Sequence, residues 1–183
     1  NSPGGVATLY NLLPMVGVYA VLLITMWGVL FAGTCLFLRK SPSFVFRAVA
    51  PQALVAFSTS SSIATLPATK VACEQLGASG DESTPFFTIG ATINMVGTLM
   101  GMAILCFYAM DGFGLELSMA DKVVVALQAL IYSVSAAGVP SASVVLVQEI
   151  LTSQGVSAEY ATYVTGLIIT MDTLILDRLR TAL

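Results

Sequence analysis

The segment STSSSIATLP, residues 58–67, decides the fold that the sequence predicts. Six of its residues carry hydroxyl groups and it ends in a proline, yet it lies within an apolar run flanked by Arg47 and Lys70. Lipid offers no hydrogen-bonding partners, so the backbone groups that such a segment frees must be buried in protein or line a cavity. The segment therefore predicts the tip of a re-entrant helical hairpin that contacts a polar solute.

The overall composition places this hairpin in a membrane. The chain has 183 residues, of which 57% are hydrophobic and 9% are charged, whereas soluble domains average about 25% charged residues. A soluble core of this size cannot absorb so much apolar surface, so we expect an integral membrane protein with the lipid bilayer as a partner.

Several functional classes are disfavoured by what the sequence contains. It has no histidine, the residue that most often binds metals and senses pH. The cysteines Cys35, Cys73 and Cys106 lie far apart among apolar residues and are interpreted as small buried hydrophobic side chains. No nucleophile with a base, phosphate-binding loop or nucleic-acid-binding surface is recognisable, so neither an enzyme nor a nucleic-acid partner is expected.

The positions of the charged residues predict the order of spans and hairpins. The uncharged run over 12–38 is long enough to cross a bilayer, and the cations Arg39 and Lys40 that follow it mark the cytoplasmic side. A hairpin returns both Arg47 and Lys70 to that side, which a full span would not. The predicted order is an N-terminal loop over 1–11, a helix over 12–40, a first hairpin over 43–77, a helix over 84–110, a second hairpin over 122–154 and a last helix over 158–183.

Two further interruptions give this order the character of an inverted repeat. GATINMVGT at 90–98 places glycines and an asparagine inside a span, which predicts either an unwound segment that contacts an ion or solute, or close packing of helices through small residues. SVSAAGVPSAS at 133–143 cannot continue as a straight helix, so it predicts a second hairpin from the opposite face or one kinked span. Paired interrupted segments of this kind point to a transporter binding site.

The last helix carries the charges for such a site. Asp177 and Arg180 share one helical face with Thr173 and Thr181. An arginine at membrane depth costs roughly 2.5–3.5 kcal/mol and needs a carboxylate partner, so the two charges form either a structural ion pair or a site for a zwitterion. In the second case Arg180 takes a carboxylate and Asp177 takes an ammonium group. Arg178 points away from this face and is expected to meet water or a headgroup.

The interrupted segments would supply backbone groups to the same site. Half-helix N-termini near Ser61, Ser62 and residues 139–143 can present N–H groups to an anion. Exposed carbonyl groups near Gly90, Asn94 and residues 133–136 can coordinate a small cation.

Four of these motifs resemble those of the dicarboxylate/amino acid:cation symporter family, which includes the glutamate transporters and their prokaryotic relatives. SSSIATLP at 60–67 resembles the tip of that family's first hairpin, and GATINMVGT is similar to its GATINMDGT segment. AAGVP at 136–140 is similar to the tip of its second hairpin, and DRLRT at 177–181 resembles its DRxRT motif. The resemblance runs from about residue 12 to the end of the chain.

The resemblance implies a fold class and a mechanism. It implies an all-α membrane protein: the transport-domain core of an elevator-type symporter, with two re-entrant hairpins in an inverted repeat and three transmembrane helices. The last helix would be incomplete and the scaffold domain absent, since the chain looks like a piece of a longer protein. The complete protein would be a multi-pass homotrimer of the plasma (cell inner) membrane.

The resemblance also implies roles for individual residues. The substrate, an acidic amino acid or a dicarboxylate, would be held by Ser61, Ser62, Thr98, Val139, Asp177, Arg180 and Thr181. The cation, Na⁺, would be held by Gly90, Thr92, Asn94, Met95, Ser133, Val134 and Ala136.

Three departures from the family pattern bear on cation coupling. Val96 and Thr173 each stand where members have an aspartate, and the chain ends before an asparagine and an aspartate that follow the arginine in the family. The leading hypothesis is a secondary active symporter for aspartate, glutamate or a C4-dicarboxylate. The alternatives are a degenerate solute-binding membrane domain without coupled transport, and a proton-coupled rather than sodium-coupled symporter.

Overall fold

In the described part of the chain, every regular element is a helix. The computed structural model describes residues 5–78, 84–93, 95–136, 142–171 and 176–182. The helices in these ranges are α1 Gly5–Leu38, α2 Pro42–Thr59, α3 Ser62–Leu76, α4 Thr84–Ile93, α5 Val96–Gly112, α6 Met119–Ser135, α7 Ala142–Ser153, α8 Ala158–Met171 and α9 Asp177–Thr181.

Helix α1 is the long apolar helix that the sequence predicts. It begins at Gly5, inside the segment expected to be a loop, because residues 5–13 contain neither charge nor proline to end the helical pattern. Its stretch Leu13–Leu38 is the one helix in the described ranges that is long and apolar enough to cross a membrane, and only 6% of its most apolar window is buried. That leaves side chains such as Val21 and Phe37 exposed to surroundings outside this chain.

Helices α2 and α3 pack along each other as a helical hairpin. Ser60 takes a left-handed conformation with φ 51° and ends α2, and Ser61 begins α3 by accepting a hydrogen bond from the Ala64 N–H group. Pro67 lies inside α3 rather than at the break. The reversal of the chain therefore depends on two serines, and the proline that the sequence pattern emphasises does not end a helix.

The third predicted span is divided into α4 and α5. Helix α4 ends at Ile93 and α5 begins at Val96, within the glycine- and asparagine-containing segment, and Met95 has a non-helical conformation with φ −100° and ψ 41°. The next helix, α6, begins three residues before the predicted hairpin boundary. Ser118 caps it, with Asp121 bonding back to the Ser118 N–H group.

Helices α5 to α8 enclose the main hydrophobic core. The core is formed by buried residues of all four helices, with Met15 from α1 and Val156 from the turn before α8. Polar side chains join the helix surfaces outside it: Gln128 of α6 donates to Ser153 of α7 at 3.1 Å, and Gln148 of α7 donates to Thr162 of α8 at 3.0 Å.

The connections of these helices define two ends of the bundle. The rings of Phe113, after α5, and Tyr160, in the first turn of α8, lie 4.9 Å apart. The C-termini of α5 and α7 and the N-termini of α6 and α8 therefore lie at one end. The N-termini of α5 and α7, the C-termini of α6 and α8, and α9 lie at the other. The predicted site residues of these elements belong to this second end.

Candidate functional site

A buried ion pair lies at this end of the bundle, on α9. The Arg180 Nη2 and Asp177 Oδ1 atoms are 2.5 Å apart on α9, and each side chain is 4% exposed. The neighbouring Thr181 hydroxyl donates to the Asp177 carbonyl at 2.7 Å, so within α9 it is used in a backbone hydrogen bond. The pair places opposite charges side by side in a region shielded from solvent, where both interact strongly with any polar ligand.

Gly97 allows α5 to approach this pair closely. A Cβ atom at Gly97 would lie 2.8 Å from the Arg180 Cβ and 3.2 Å from its Cα, so no larger residue fits without movement. This approach brings the first turn of α5 to α9. In that turn the buried Thr98 hydroxyl donates to the Met95 sulfur at 3.7 Å.

Tyr19 of α1 is a part of the site that sequence reasoning missed. Its side chain is fully buried, and its hydroxyl donates to the Gly97 carbonyl at 2.9 Å. The sequence did offer one signal for this contact, a tyrosine within an uncharged helix. The hydroxyl of such a tyrosine usually has a hydrogen-bond partner when it is buried. Through this bond α1 and α5 are fixed to each other beside Arg180.

Arg178 lies half-buried on α9 and contacts the backbone of a different helix, which the sequence did not predict. Its Nη1 atom donates to the carbonyl groups of Phe57 and Ser58, at 3.1 and 3.0 Å. These carbonyls belong to the last turn of α2, where the helix offers acceptors without intrahelical partners and a partial negative charge. The guanidinium therefore connects α9 to the tip of the α2–α3 hairpin.

The serines at that tip are partly occupied by local hydrogen bonds. The Ser61 hydroxyl accepts from the Ala64 N–H group at 3.2 Å, and the Ser61 carbonyl accepts from the Thr65 hydroxyl at 2.7 Å. Ser61 and Ser62 are half-buried. The contacts of Arg178 bring the hairpin that carries them against α9.

Three of the predicted cation ligands, Gly90, Ser133 and Val134, lie in the last turns of two helices that pack together, α4 and α6. Gly90 is in the last turn of α4, and Ser133 is in the last turn of α6, where its carbonyl accepts from the Ala136 N–H group at 3.3 Å. Ser133 and Ala136 are buried, whereas the Val134 side chain is 46% exposed. Helix C-termini concentrate carbonyl oxygens and partial negative charge, which suits a small cation.

A carboxylate-rich metal site is absent from the part of the chain that the structure describes. No three residues of the histidine, cysteine, aspartate or glutamate type come together there. Asn94 and Val139 lie outside the described residues, as does the Thr92 side chain.

Comparison with known proteins decides the family. A model of the sodium:dicarboxylate symporter family matches residues 2–183. The chain belongs to that family. The resemblance to this family is thus confirmed.

Individual relatives of the symporter family match at moderate identity. Excitatory amino acid transporter 3 of Mus musculus is 38% identical over 144 residues, covering 78% of this chain and 27% of the relative. Excitatory amino acid transporter 1 of Homo sapiens is 35% identical over 180 residues, covering 97% and 31%. The serine/threonine transporter SstT of Bifidobacterium adolescentis is 30% identical over 132 residues, covering 72% and 31%. The chain thus spans less than a third of the length of these relatives.

Proposed function

We propose that the complete protein is a secondary active symporter that moves an acidic amino acid, aspartate or glutamate, or a C4-dicarboxylate together with cations. The observation that carries this proposal is the buried Asp177–Arg180 pair. A buried pair of charges is often no more stable than an apolar replacement of the same volume. Its position beside hydroxyls and helix ends therefore favours a binding role over a purely structural one.

The chemistry of the pair suits a zwitterion with an additional carboxylate. A guanidinium binds a carboxylate through two parallel hydrogen bonds, and a carboxylate accepts from an ammonium group. In the proposed complex Arg180 binds the side-chain carboxylate and Asp177 binds the amino group. Thr98, Thr181 and the backbone of Ser61, Ser62 and Val139 complete the site. The excitatory amino acid transporters among the relatives support an acidic substrate, and SstT supports a small amino acid as the competing class.

Replacing Arg180 tests the substrate role. In vesicles reconstituted with the complete protein, Arg180→Ala should abolish uptake of radiolabelled aspartate, because Asp177 alone repels a second carboxylate. Arg47→Ala is the matched control, since Arg47 lies on the exposed surface of α2, and it should transport as the wild type. Aspartate uptake by a folded Arg180→Ala protein at the wild-type rate would refute the role.

We also propose that the carbonyl groups at the ends of α4 and α6, with Thr92, Asn94 and Met95, hold the coupling cation, Na⁺. The family name supports sodium. Val96, half-buried in the first turn of α5, supplies no carboxylate where the family pattern has one. That observation favours a second candidate, either a proton-coupled symporter or a domain that binds solute without coupled transport.

Ion gradients separate these candidates. Uptake of aspartate by the reconstituted protein should follow an inward sodium gradient and vanish when choline replaces sodium. Uptake driven by a pH gradient without sodium would identify proton coupling. Aspartate binding that depends on neither ion would establish the uncoupled domain.

The resemblance supports a larger assembly and a moving domain. We infer that this chain forms most of the transport domain of a homotrimer and moves across the membrane by an elevator-type mechanism against a scaffold outside the present sequence. The mass of the complete protein in detergent, measured by light scattering with the detergent contribution subtracted, should equal three subunits. A monomeric mass would contradict the trimer.

A further inference from the structure

A buried hydrogen bond joins α1 to the first turn of α5. The Tyr19 side chain is fully buried, and its hydroxyl donates to the Gly97 carbonyl at 2.9 Å. Gly97 is the second residue of α5. Because a buried polar group that loses its hydrogen bond destabilises the structure around it, the bond opposes any movement of this turn relative to α1.

The same turn packs against the backbone of Arg180. A Cβ atom at Gly97 would lie 2.8 Å from the Arg180 Cβ, and 3.2 Å from both its Cα and its carbonyl oxygen. The two helices are therefore in direct contact at the residue that carries the guanidinium. Since packed interiors transmit displacements, a shift of the start of α5 must move Arg180 or open a gap beside it.

Gly101, one turn further along α5, lies against the Tyr19 hydroxyl. A Cβ atom at Gly101 would be 2.5 Å from the Tyr19 Oη and 2.9 Å from its Cζ. Residues 97 and 101 follow the spacing i, i+4, so they share one face of α5. The lack of side chains on this face admits α9 at one turn and the Tyr19 phenol at the next.

Apolar contacts connect α1 to α9 independently of the hydrogen bond. Tyr19 and Leu23 form a buried cluster with Leu176, the residue before α9, and Leu179 of α9 packs against this cluster. The Tyr19 ring therefore serves packing, whereas its hydroxyl serves the bond to Gly97. Phenylalanine keeps the ring and removes the hydroxyl, so the two contributions can be separated.

We propose that Tyr19 is a positioning residue for Arg180: by binding the Gly97 carbonyl, its hydroxyl fixes the place of the guanidinium and thereby favours acidic over neutral amino acids. This inference rests on the proposed function. A guanidinium binds a carboxylate through two parallel hydrogen bonds, which require a defined orientation. A displaced Arg180 therefore loses more affinity for an acidic side chain than for a neutral side chain of the same shape.

Removing the Tyr19 hydroxyl should change the ratio of two affinities. In the complete protein in detergent, Tyr19→Phe should raise the Kd for aspartate about three- to tenfold, the range expected when the contribution of one hydrogen bond is lost. The Kd for asparagine, measured by competition, should rise less. A purely structural role would lower Tm and the number of binding sites but leave the ratio of the two Kd values unchanged.

Tyr163→Phe is the matched control for the loss of a tyrosine hydroxyl. Tyr163 lies on α8 and is 58% exposed. Its replacement should leave the Kd values for aspartate and asparagine as in wild type.

Gly101→Ala tests the same contact from the other helix. Its methyl group should push the phenol away from the Gly97 carbonyl and raise the Kd for aspartate, as Tyr19→Phe does. In the Tyr19→Phe background the same change should add little, because the hydrogen bond is already absent; residues in contact show such non-additive effects. Fully additive changes in log Kd would contradict a common route through Gly97.

The outcomes separate this inference from the proposed function. If wild type binds aspartate, Arg180→Ala does not, and Tyr19→Phe keeps the wild-type ratio of Kd values, the positioning role is refuted and the proposed function stands. Loss of folded protein in Tyr19→Phe would show a packing role and also refute it. If wild type binds neither acidic amino acids nor C4-dicarboxylates, the proposed function fails, and the inference about Tyr19 fails with it.

Discussion

Arg178 shows at the residue scale how a single side chain can join segments 120 residues apart in sequence. The DRLRT motif allowed the neighbouring Arg180 and Asp177 to be predicted as partners, because an i, i+3 spacing brings them together on one helix. The partners of Arg178 could not be predicted in this way. Its acceptors are backbone carbonyls at the end of α2, and only the packing of α9 against that helix brings them within reach.

Removing the Arg178 guanidinium should loosen the tip of the first hairpin. We expect Arg178→Gln to lower the free energy of unfolding by about 1–2 kcal/mol, because two charge-assisted hydrogen bonds to a half-buried group are lost. Chemical denaturation in detergent measures the change, and Arg47→Gln, on the exposed face of α2, is the control. Equal stabilities of the two variants would contradict the structural role of Arg178.

Gly97 should tolerate no side chain. A methyl group there would overlap the Cβ and backbone of Arg180, and overpacking of this kind typically costs about 1–3 kcal/mol. We expect Gly97→Ala to lower both the Tm and the affinity for acidic amino acids, measured by thermal unfolding and equilibrium binding. Gly28→Ala is the control, because nothing lies within 4 Å of the added atom; a stable Gly97→Ala protein with full affinity would contradict the close approach.

At the element scale, local signals predicted some boundaries closely and others poorly. Helices α2 and α3 together run from Pro42 to Leu76, close to the bounds 43–77 expected for a first hairpin, because proline and serine begin α2 and Gly77 ends α3 with φ 113°. That this pair is re-entrant stays a prediction. The start of α1 was predicted too late, at residue 12 instead of Gly5, because no charge or proline between them marks the helix boundary. The left-handed Ser60 at the turn was not predicted, because several adjacent serines could equally have reversed the chain.

The start of α6 was also recognisable in principle, because Ser118 and Asp121 have the spacing of a capping box. Hydrogen bonds from the Ser118 hydroxyl and N–H group lower the pKa of Asp121, which lies just before the segment predicted to form a second hairpin. A carboxyl whose pKa is lowered by folding stabilises the protein above its unfolded pKa, and that contribution is lost as the pH falls through the folded value.

The acid sensitivity of this cap can be measured. We expect wild type to lose Tm relative to Asp121→Asn as the pH is lowered below the ordinary aspartate value of 3.8. Thermal unfolding of both proteins across that range is the measurement. Asp111→Asn, at the end of α5, controls for a general change of charge. Parallel pH profiles for wild type and Asp121→Asn would show that the cap contributes no pH dependence.

At the scale of the whole molecule, the sequence indicated candidate site residues but not how they contact each other. The order of interrupted segments suggested a common site, and the described helices place the ends of α5, α6, α7 and α9 at one end of the bundle. The contacts of Tyr19 with Gly97 and of Gly97 with Arg180 required three-dimensional packing, since these residues are far apart in the chain. No periodicity within one helix could have indicated them.

The interpretation of α2 and α3 as a re-entrant hairpin predicts which side of the membrane each turn faces. Because α2 and α3 reverse direction, the turns at Ser41 and Gly77 should face the same side of the membrane, and Gly114 should face the other. Single cysteines introduced at Ser41, Ala78 and Gly114, in a variant without Cys35, Cys73 and Cys106, can be labelled with an impermeant maleimide in sealed vesicles. Ser41→Cys and Ala78→Cys should react from the cytoplasmic side and Gly114→Cys from the opposite side. Labelling of Ser41→Cys and Ala78→Cys from different sides would contradict the hairpin.

The length of the first helix has a consequence for the surrounding bilayer. The 26 residues of the apolar stretch Leu13–Leu38 extend for about 39 Å at about 1.5 Å per residue, whereas a typical hydrocarbon layer is about 30 Å thick. A helix of this length spans such a bilayer by tilting from the bilayer normal or by thickening the bilayer locally. Since the hydrogen bond from Tyr19 to Gly97 connects this helix to the residues beside Arg180, changes in lipid acyl-chain length should alter the geometry of the candidate binding site.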